Sequence, residues 1–155
     1  MASITVGKKV PDFSLPSTGE DFRLSQLRGS AVVLYFYPKD MTSGCTLESQ
    51  DFRDLHAKFR RAGARVFGIS RDSLASHAKF REKEGLPFDL LSDADEKACH
   101  LFDVIREKNM YGRKVLGIER STFLIDSQGV LRHEWRKVKV PGHAENVLEV
   151  LRALD

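Results

Sequence analysis

The sequence has 155 residues, of which 41% are apolar and 30% are charged, with a formal net charge of +3. This length fits one domain spanning residues 1–155, and the composition is that of a globular protein. The weak charge bias argues against an extended nucleic-acid footprint, and no apolar run approaches the ~18 residues of a membrane span. We therefore expect neither nucleic acid nor membrane as a partner.

The chain contains only two cysteines, Cys45 and Cys99. They form neither a secreted disulfide framework nor a CxxC pair, and the histidines are scattered, so we expect no metal site and no cofactor. The first residues carry no hydrophobic block of the kind found in signal peptides. We expect a cytoplasmic protein, in which a lone cysteine is either inert or reactive.

Strands and helices alternate in the first two thirds of the chain. Residues 31–37 (AVVLYFY) form a continuous apolar run, which is typical of a central strand buried on both faces. A polar loop over 38–44 leads to a helix that ends at Gly63. The neighbouring elements are predicted as strands 11–16, 22–24 and 64–70, a helix from Ser73 to near Gly85, an extended segment 88–91 and a helix over 95–102.

The last third adds an antiparallel part. Strands over 122–125 and 130–135 pair across a turn, and a final helix begins near His143. The whole order predicts an α/β protein with a thioredoxin-like fold, in which a central mixed β-sheet is flanked by helices and extended by an N-terminal β-hairpin.

Cys45 lies between the first buried strand and the first turn of the following helix. A helix N-terminus offers unpaired N–H groups and a partial positive charge, both of which favour a thiolate. Pro38 ends the strand, Thr42 offers a hydroxyl three residues before the cysteine, and Gly44 permits close approach of a substrate. By position alone, a nucleophile and a small buried hydrophobic residue remain equally acceptable interpretations.

The segment 37–46 (YPKDMTSGCT) resembles the active-site loop of peroxiredoxins, P-x-x-x-T/S-x-x-C. Four further segments, 10–13, 68–72, 90–93 and 120–126, extend the resemblance over nearly the whole chain. Together they are similar to the bacterioferritin comigratory protein, or PrxQ, subfamily. The resemblance implies a thioredoxin-like fold and the reduction of hydrogen peroxide and organic hydroperoxides by a thiol-dependent peroxidase.

The resemblance also implies roles for individual residues. Cys45 would be the peroxidatic cysteine, Thr42 would bond and align the peroxide, and Pro38 would shield the site. Arg120 would stabilise the thiolate and the charge that develops on the peroxide; without the motif, a simple ion pair at a strand start would explain it. Glu48 either orients Arg120 or merely favours the helix N-terminus.

The sequence departs from the family at the resolving cysteine. Many members carry it five residues after the first cysteine, which is Gln50 here, and others near Phe80 and Arg81. Cys99 is either a packed structural thiol or a noncanonical resolving partner. We expect a one-cysteine mechanism that uses an external thiol such as thioredoxin, glutaredoxin or a small thiol, and a monomer, with a dimer left open.

Three other functions compete with a peroxidase. A redox sensor would use the same oxidation of Cys45 but pass it to a partner protein. A non-catalytic chaperone would not need the intact set of Pro38, Thr42, Cys45 and Arg120. A disulfide oxidoreductase normally needs the paired thiols that this chain lacks.

Overall fold

A five-stranded mixed sheet forms the centre of the computed structural model, which describes residues 4–154. Its strand order is β5-β4-β3-β8-β9, with β3 parallel to β4 and antiparallel to β8. In chain order the elements are β1 (Ser14–Leu15), β2 (Phe22–Arg23), a 3₁₀ helix (Leu24–Leu27), β3 (Ala31–Phe36), α1 (Ser43–Arg61), β4 (Ala64–Ser70), α2 (Leu74–Glu84), β5 (Leu90–Ser92), α3 (Lys97–Leu101), β6 (Ile105–Met110), β7 (Arg113–Ile118), β8 (Ser121–Ile125), β9 (Leu131–Trp135) and α4 (His143–Arg152).

Strand β3 separates two apolar cores because its side chains alternate between the two faces of the sheet. Val33 and Tyr35 join the core that also contains residues of α1, α2 and α4. Leu34 and Phe36 join the core that contains α3 and the N-terminal segment. Every residue of β3 is buried, which confirms the prediction of a central strand covered on both faces.

The predicted helix boundaries follow local capping chemistry. The Ser73 hydroxyl accepts a hydrogen bond from the backbone N–H of Ser76 at 3.2 Å, so it caps the start of α2. Gly85 ends that helix with φ of 61°, and Gly63 follows α1 with φ of 84°. Glycine adopts this left-handed backbone without the steric cost that a Cβ would add.

Two predictions differ from the structure in their bounds, and one hairpin was missed. The N-terminal hairpin is present, but its strands β1 and β2 are only two residues long each. Helix α3 is shorter than the predicted 95–102. The hairpin of β6 and β7 was not predicted, because charged residues interrupt its alternation and it stands outside the central sheet.

The longest helix, α1, is amphipathic rather than uniformly apolar, and within residues 4–154 no helix has the combination of length and hydrophobicity that crossing a bilayer requires.

Candidate active site

Cys45 is the third residue of α1, directly beyond the carboxyl end of β3. The backbone N–H of Tyr37 makes the last parallel bond, to the Ile69 carbonyl at 3.0 Å, and Pro38 then has no N–H to continue the ladder. Thr42 occupies the N-cap position with extended backbone, and its carbonyl accepts from Thr46 N–H at 2.9 Å. The cysteine side chain is therefore in the first helical turn, where it is 1% exposed.

Arg120 reaches Cys45 from the neighbouring strand. The antiparallel register pairs Phe36 with Ser121. Arg120, just before β8, therefore lies at the end of β3, where the loop that leads to α1 begins. Its guanidinium Nη2 donates to Cys45 Sγ at 3.3 Å. A Cβ at Gly44 would lie 3.3 Å from the same Nη2, so glycine at this position leaves room for the guanidinium.

Glu48, one turn further along α1, holds the other side of the guanidinium. Its Oε1 accepts from Arg120 Nη1 at 2.6 Å, and the Glu48 side chain is 1% exposed. Its second oxygen, Oε2, has no hydrogen-bond partner among the described residues. Arg120 thus contacts the Cys45 sulfur and forms an ion pair with Glu48 at the same time. The sequence had left a contact with the sulfur and a simple ion pair as alternatives for Arg120, and the structure shows both.

Burial and charge act in opposite directions on this pair. Burial raises the pKa of Glu48 to about 7, although the nearby Arg120 charge lowers it. Burial by itself would lower the pKa of Arg120, but the charges of Glu48 and Cys45 raise it above its ordinary value. Arg120 therefore remains a cation beside the sulfur, and such a neighbour favours a thiolate.

Thr42 and Pro38 belong to the loop that leads from β3 into α1. The exposed Thr42 hydroxyl donates to the Lys39 carbonyl at 2.9 Å, so its oxygen keeps lone pairs for a substrate O–H. Pro38, at the start of this loop, is half-buried. The structure thus gathers Cys45 and Arg120 in contact, with Thr42 at the start of the same helix.

The sequence and structure match known proteins over almost the full chain. The model of the AhpC/TSA family matches residues 6–134. Peroxiredoxin Bcp of Xanthomonas campestris pv. campestris is 54% identical over 144 residues, covering 91% of this chain and 90% of that one. Peroxiredoxin Bcp of Bacillus subtilis is 50% identical over 154 residues, covering 99% of this chain and 98% of that one.

A solved structure of the Xanthomonas campestris bacterioferritin comigratory protein superposes with a TM-score of 0.90 at 49% identity, covering 96% of this chain and 98% of that chain. That relative was studied for its alkyl peroxide reduction activity in trapped intermediate/ligand complex structures. This chain belongs to the Bcp/PrxQ peroxiredoxins of the AhpC/TSA family. The predicted thioredoxin-like fold is confirmed, and the protein is an antioxidant thiol-dependent peroxidase.

The second cysteine of this peroxiredoxin lies on the other side of the sheet. Cys45 belongs to the core beneath α1 and α4, whereas Cys99 belongs to the core beneath α3. Cys99 is fully buried, and its backbone N–H donates to Asp93 Oδ2 at 2.7 Å. Burial, and then the negative charge of Asp93, raise the pKa of the Cys99 thiol well above its ordinary value.

A buried histidine lies close to the site of this peroxiredoxin. His143 begins α4, and its Nε2 lies 2.7 Å from the Thr122 hydroxyl. Burial, and then the Arg120 charge, lower the pKa of His143 to about 4. The imidazole is therefore neutral at neutral pH and does not repel the guanidinium.

Sequence reasoning missed a polar cluster at the loop between β3 and α1. Ligand atoms of Asp40, Asp72 and His77 lie within 4.8 Å of one another, although no metal site was expected. Each of these side chains is engaged in hydrogen bonds with its neighbours. No local pattern identifies the cluster, because its members come from three separate elements.

Proposed function

We propose that Cys45 is the peroxidatic cysteine and that an external thiol resolves its sulfenic acid in a one-cysteine mechanism. The observation that carries this proposal is the bond from Arg120 Nη2 to Cys45 Sγ at 3.3 Å. The Cys45 sulfur lies at a helix N-terminus and beside the permanent Arg120 cation, and these two features favour a nucleophilic thiolate.

In the first step the Cys45 thiolate attacks the terminal oxygen of the hydroperoxide. The S–O bond forms as the O–O bond breaks, and sulfur loses two electrons to the peroxide. The leaving alkoxide, or hydroxide from hydrogen peroxide, takes up a proton and departs as alcohol or water. The products are the Cys45 sulfenic acid and the reduced peroxide.

Arg120 stabilises the negative charge that moves from sulfur to the leaving oxygen. Its rigid set of donors serves sulfur and oxygen together, which a lysine ammonium does less well. Glu48 positions the guanidinium through the 2.6 Å bond to Nη1. A preorganised donor of this kind contributes ~2.7–4 kcal/mol to transition-state stabilisation.

The loop before α1 aligns the substrate. Because the Thr42 hydroxyl donates to the Lys39 carbonyl, its oxygen is oriented to accept from the O–H of the peroxide. Gly44 leaves space for the guanidinium, and Pro38 keeps bulk water away from the sulfur. Alignment matters because attack must be collinear with the O–O bond.

Resolution by an external thiol is favoured because the two cysteines lie in cores on opposite faces of the sheet. A first external thiol attacks the sulfenic sulfur and releases water, and a second thiol reduces the resulting mixed disulfide. Thioredoxin, glutaredoxin or a small thiol supplies these two electrons. Without prompt reduction, Cys45 proceeds to sulfinic acid and the enzyme is inactivated.

We assign hydrogen peroxide and organic hydroperoxides as substrates, and the alkyl peroxide activity named for the Xanthomonas campestris relative supports the organic class. We further propose that the protein acts as a monomer in the cytoplasm, where thiols are kept reduced.

The test is treatment of the reduced protein with one equivalent of hydrogen peroxide and a sulfenic-acid trap, followed by intact and peptide mass measurement. We expect a trap adduct on Cys45 and a free thiol at Cys99. A rapid Cys45–Cys99 disulfide without an adduct would instead establish Cys99 as the resolving cysteine. A lack of oxidation at Cys45 would refute its assignment as the peroxidatic residue.

A redox sensor is separated from a turnover enzyme by a second measurement. We expect multiple cycles of peroxide consumption when thioredoxin and its reductase are supplied. A single turnover with every thiol reductant, together with a disulfide to a protein partner, would favour the sensor.

A further inference from the structure

Asp40, in the loop between β3 and α1, is held by three side-chain donors. Its carboxylate accepts from the Tyr37 hydroxyl at 2.6 Å, from the Ser76 hydroxyl at 2.8 Å and from His77 Nδ1 at 2.8 Å. The side chains of Asp40 and His77 are 2% and 0% exposed. A buried carboxylate is costly unless its oxygens are hydrogen-bonded, and here both Asp40 oxygens have partners.

His77 completes the arrangement as a buried hydrogen-bonding partner of Asp40. Its Nε2 lies 2.9 Å from the Leu91 carbonyl, which can only accept a hydrogen bond, and its Nδ1 faces Asp40. Both contacts are satisfied when each ring nitrogen carries a proton. Burial would raise the pKa of Asp40, but the hydrogen bonds from His77, Tyr37 and Ser76 outweigh it and lower that pKa.

The backbone on either side of Asp40 is also restrained. The Asp40 N–H donates to Asp72 Oδ2 at 2.9 Å. Met41, which follows, adopts the left-handed region with φ of 64°, a conformation that non-glycine residues keep only when their surroundings impose it. The Lys39 carbonyl, which precedes Asp40, accepts from the Thr42 hydroxyl. Asp40 thus lies one residue after Lys39 and two residues before Thr42, the two partners of that bond.

We propose that His77 is a positioning residue of the peroxidase reaction, which fixes through Asp40 the loop that presents the Thr42 hydroxyl to the peroxide. The inference rests on the role of Thr42 under the proposed function. His77 touches neither the substrate nor Cys45 in this scheme. It acts from α2, behind the loop, as a fully hydrogen-bonded member of a buried network.

The main experiment compares two reactions of Cys45 in His77→Gln. Peroxide reduction needs the aligned Thr42 hydroxyl, whereas alkylation by iodoacetamide needs only an accessible thiolate. We expect the second-order rate constant with hydrogen peroxide to fall by about 10- to 100-fold, the scale of a small misplacement of a reacting group. The alkylation rate should stay within about threefold, because Arg120 and the helix start are unchanged.

The matched control is His100→Gln, which changes a histidine that is 66% exposed and lies outside the network. Both rates should remain within about twofold of the unmodified protein. Equal losses in the two reactions of His77→Gln would indicate general loosening of the site and would overturn the positioning role. An unchanged peroxide rate would overturn it as well.

A double-variant cycle with Thr42→Val separates this inference from the function on which it rests. If His77 acts through Thr42, His77→Gln should add little to the loss caused by Thr42→Val. Full additivity would refute the coupling. A normal peroxide rate in Thr42→Val would refute the proposed role of Thr42 itself, whatever His77 does.

Ser76→Ala provides a gentler variant if His77→Gln does not fold. It removes one of the three donors to Asp40 and leaves the helix cap at Ser73 intact. We expect a selective fall of about three- to tenfold in the peroxide rate, with the alkylation rate retained. Identical peroxide rates in Ser76→Ala and the unmodified protein would contradict the proposal.

Discussion

The surroundings of the two cysteines differ although their local positions are the same. Cys45 is the third residue of α1, Cys99 is the third residue of α3, and both are buried. At α3 the Asp93 carboxylate accepts from the N–H groups of Ala98 and Cys99 at 3.1 and 2.7 Å. Negative charge therefore already occupies that helix start, and it opposes a second negative charge on the sulfur.

At α1 the arrangement is reversed. The Thr42 side chain makes no capping bond to the first amides of the helix, and the guanidinium of Arg120 contacts the sulfur. Burial and a position in the first turn of a helix are therefore common to the two cysteines, and the charged group beside each one distinguishes them. We expect this charge to decide which cysteine reacts, because an anion competes with a thiolate and a cation stabilises it.

The largest expected difference is between the two single-cysteine proteins. Cys99→Ala should react with hydrogen peroxide at nearly the rate of the unmodified protein. Cys45→Ser, in which Cys99 is the only thiol, should react at least about 1000-fold more slowly, because burial and Asp93 keep Cys99 protonated. Stopped-flow measurement of peroxide consumption checks both rates, and similar rates would break the comparison.

Removal of the Arg120 cation beside Cys45 should have the next largest effect on the rate with peroxide. Arg120→Gln is expected to lower the rate constant with peroxide by about 100- to 1000-fold, which corresponds to the loss of one preorganised donor. Arg132→Gln is the matched control. Arg132 forms an ion pair with Asp126 at 3.2 Å rather than with Cys45, so its replacement should leave the rate unchanged. A loss below about threefold in Arg120→Gln would contradict the role given to the guanidinium.

Glu48 sharpens the comparison through the pH dependence of stability. With its pKa raised to about 7, the folded protein retains a proton that the unfolded chain releases near pH 4.5. The free energy of unfolding should therefore fall by about 3 kcal/mol, relative to Glu48→Gln, as pH rises from 4.5 to 7. Urea unfolding at several pH values tests this, with the exposed Glu82→Gln as control; parallel profiles for Glu48→Gln and the unmodified protein would argue against it.

His143 should produce a stability effect of similar size to that of Glu48, with the opposite sign. The pKa of His143 is lowered to about 4 in the folded protein. Between about pH 6.5 and pH 4 the unfolded chain therefore binds a proton that the folded protein does not bind. Stability relative to His143→Gln should drop by about 3 kcal/mol as pH falls from 6.5 to 4. Thermal unfolding across this range measures the difference, for which His100→Gln serves as control, and equal acid sensitivity of the two proteins would count against a buried neutral His143.

Much of the site could be predicted from local sequence. The apolar run of β3, the following loop and the helix start predict where Cys45 lies, and capping by Ser73 and Gly85 predicts the bounds of α2. The role of Arg120 came from resemblance alone, because 75 residues separate it from Cys45 in the chain. The β6–β7 hairpin escaped prediction because its exposed faces carry little of the alternation by which strands are recognised.

The sequence by itself determined the peroxiredoxin motif, the class of reaction, the alternation of strands and helices, and the absence of a cysteine at the usual resolving positions. These properties depend on residue types at short spacing. Only the tertiary structure decided that Arg120 meets both Cys45 and Glu48, that Asp93 faces Cys99, and that His77 holds Asp40. The physical reason is that Coulomb interactions and hydrogen bonds depend on distance in space, and strand pairing and helix packing fix that distance independently of separation along the chain.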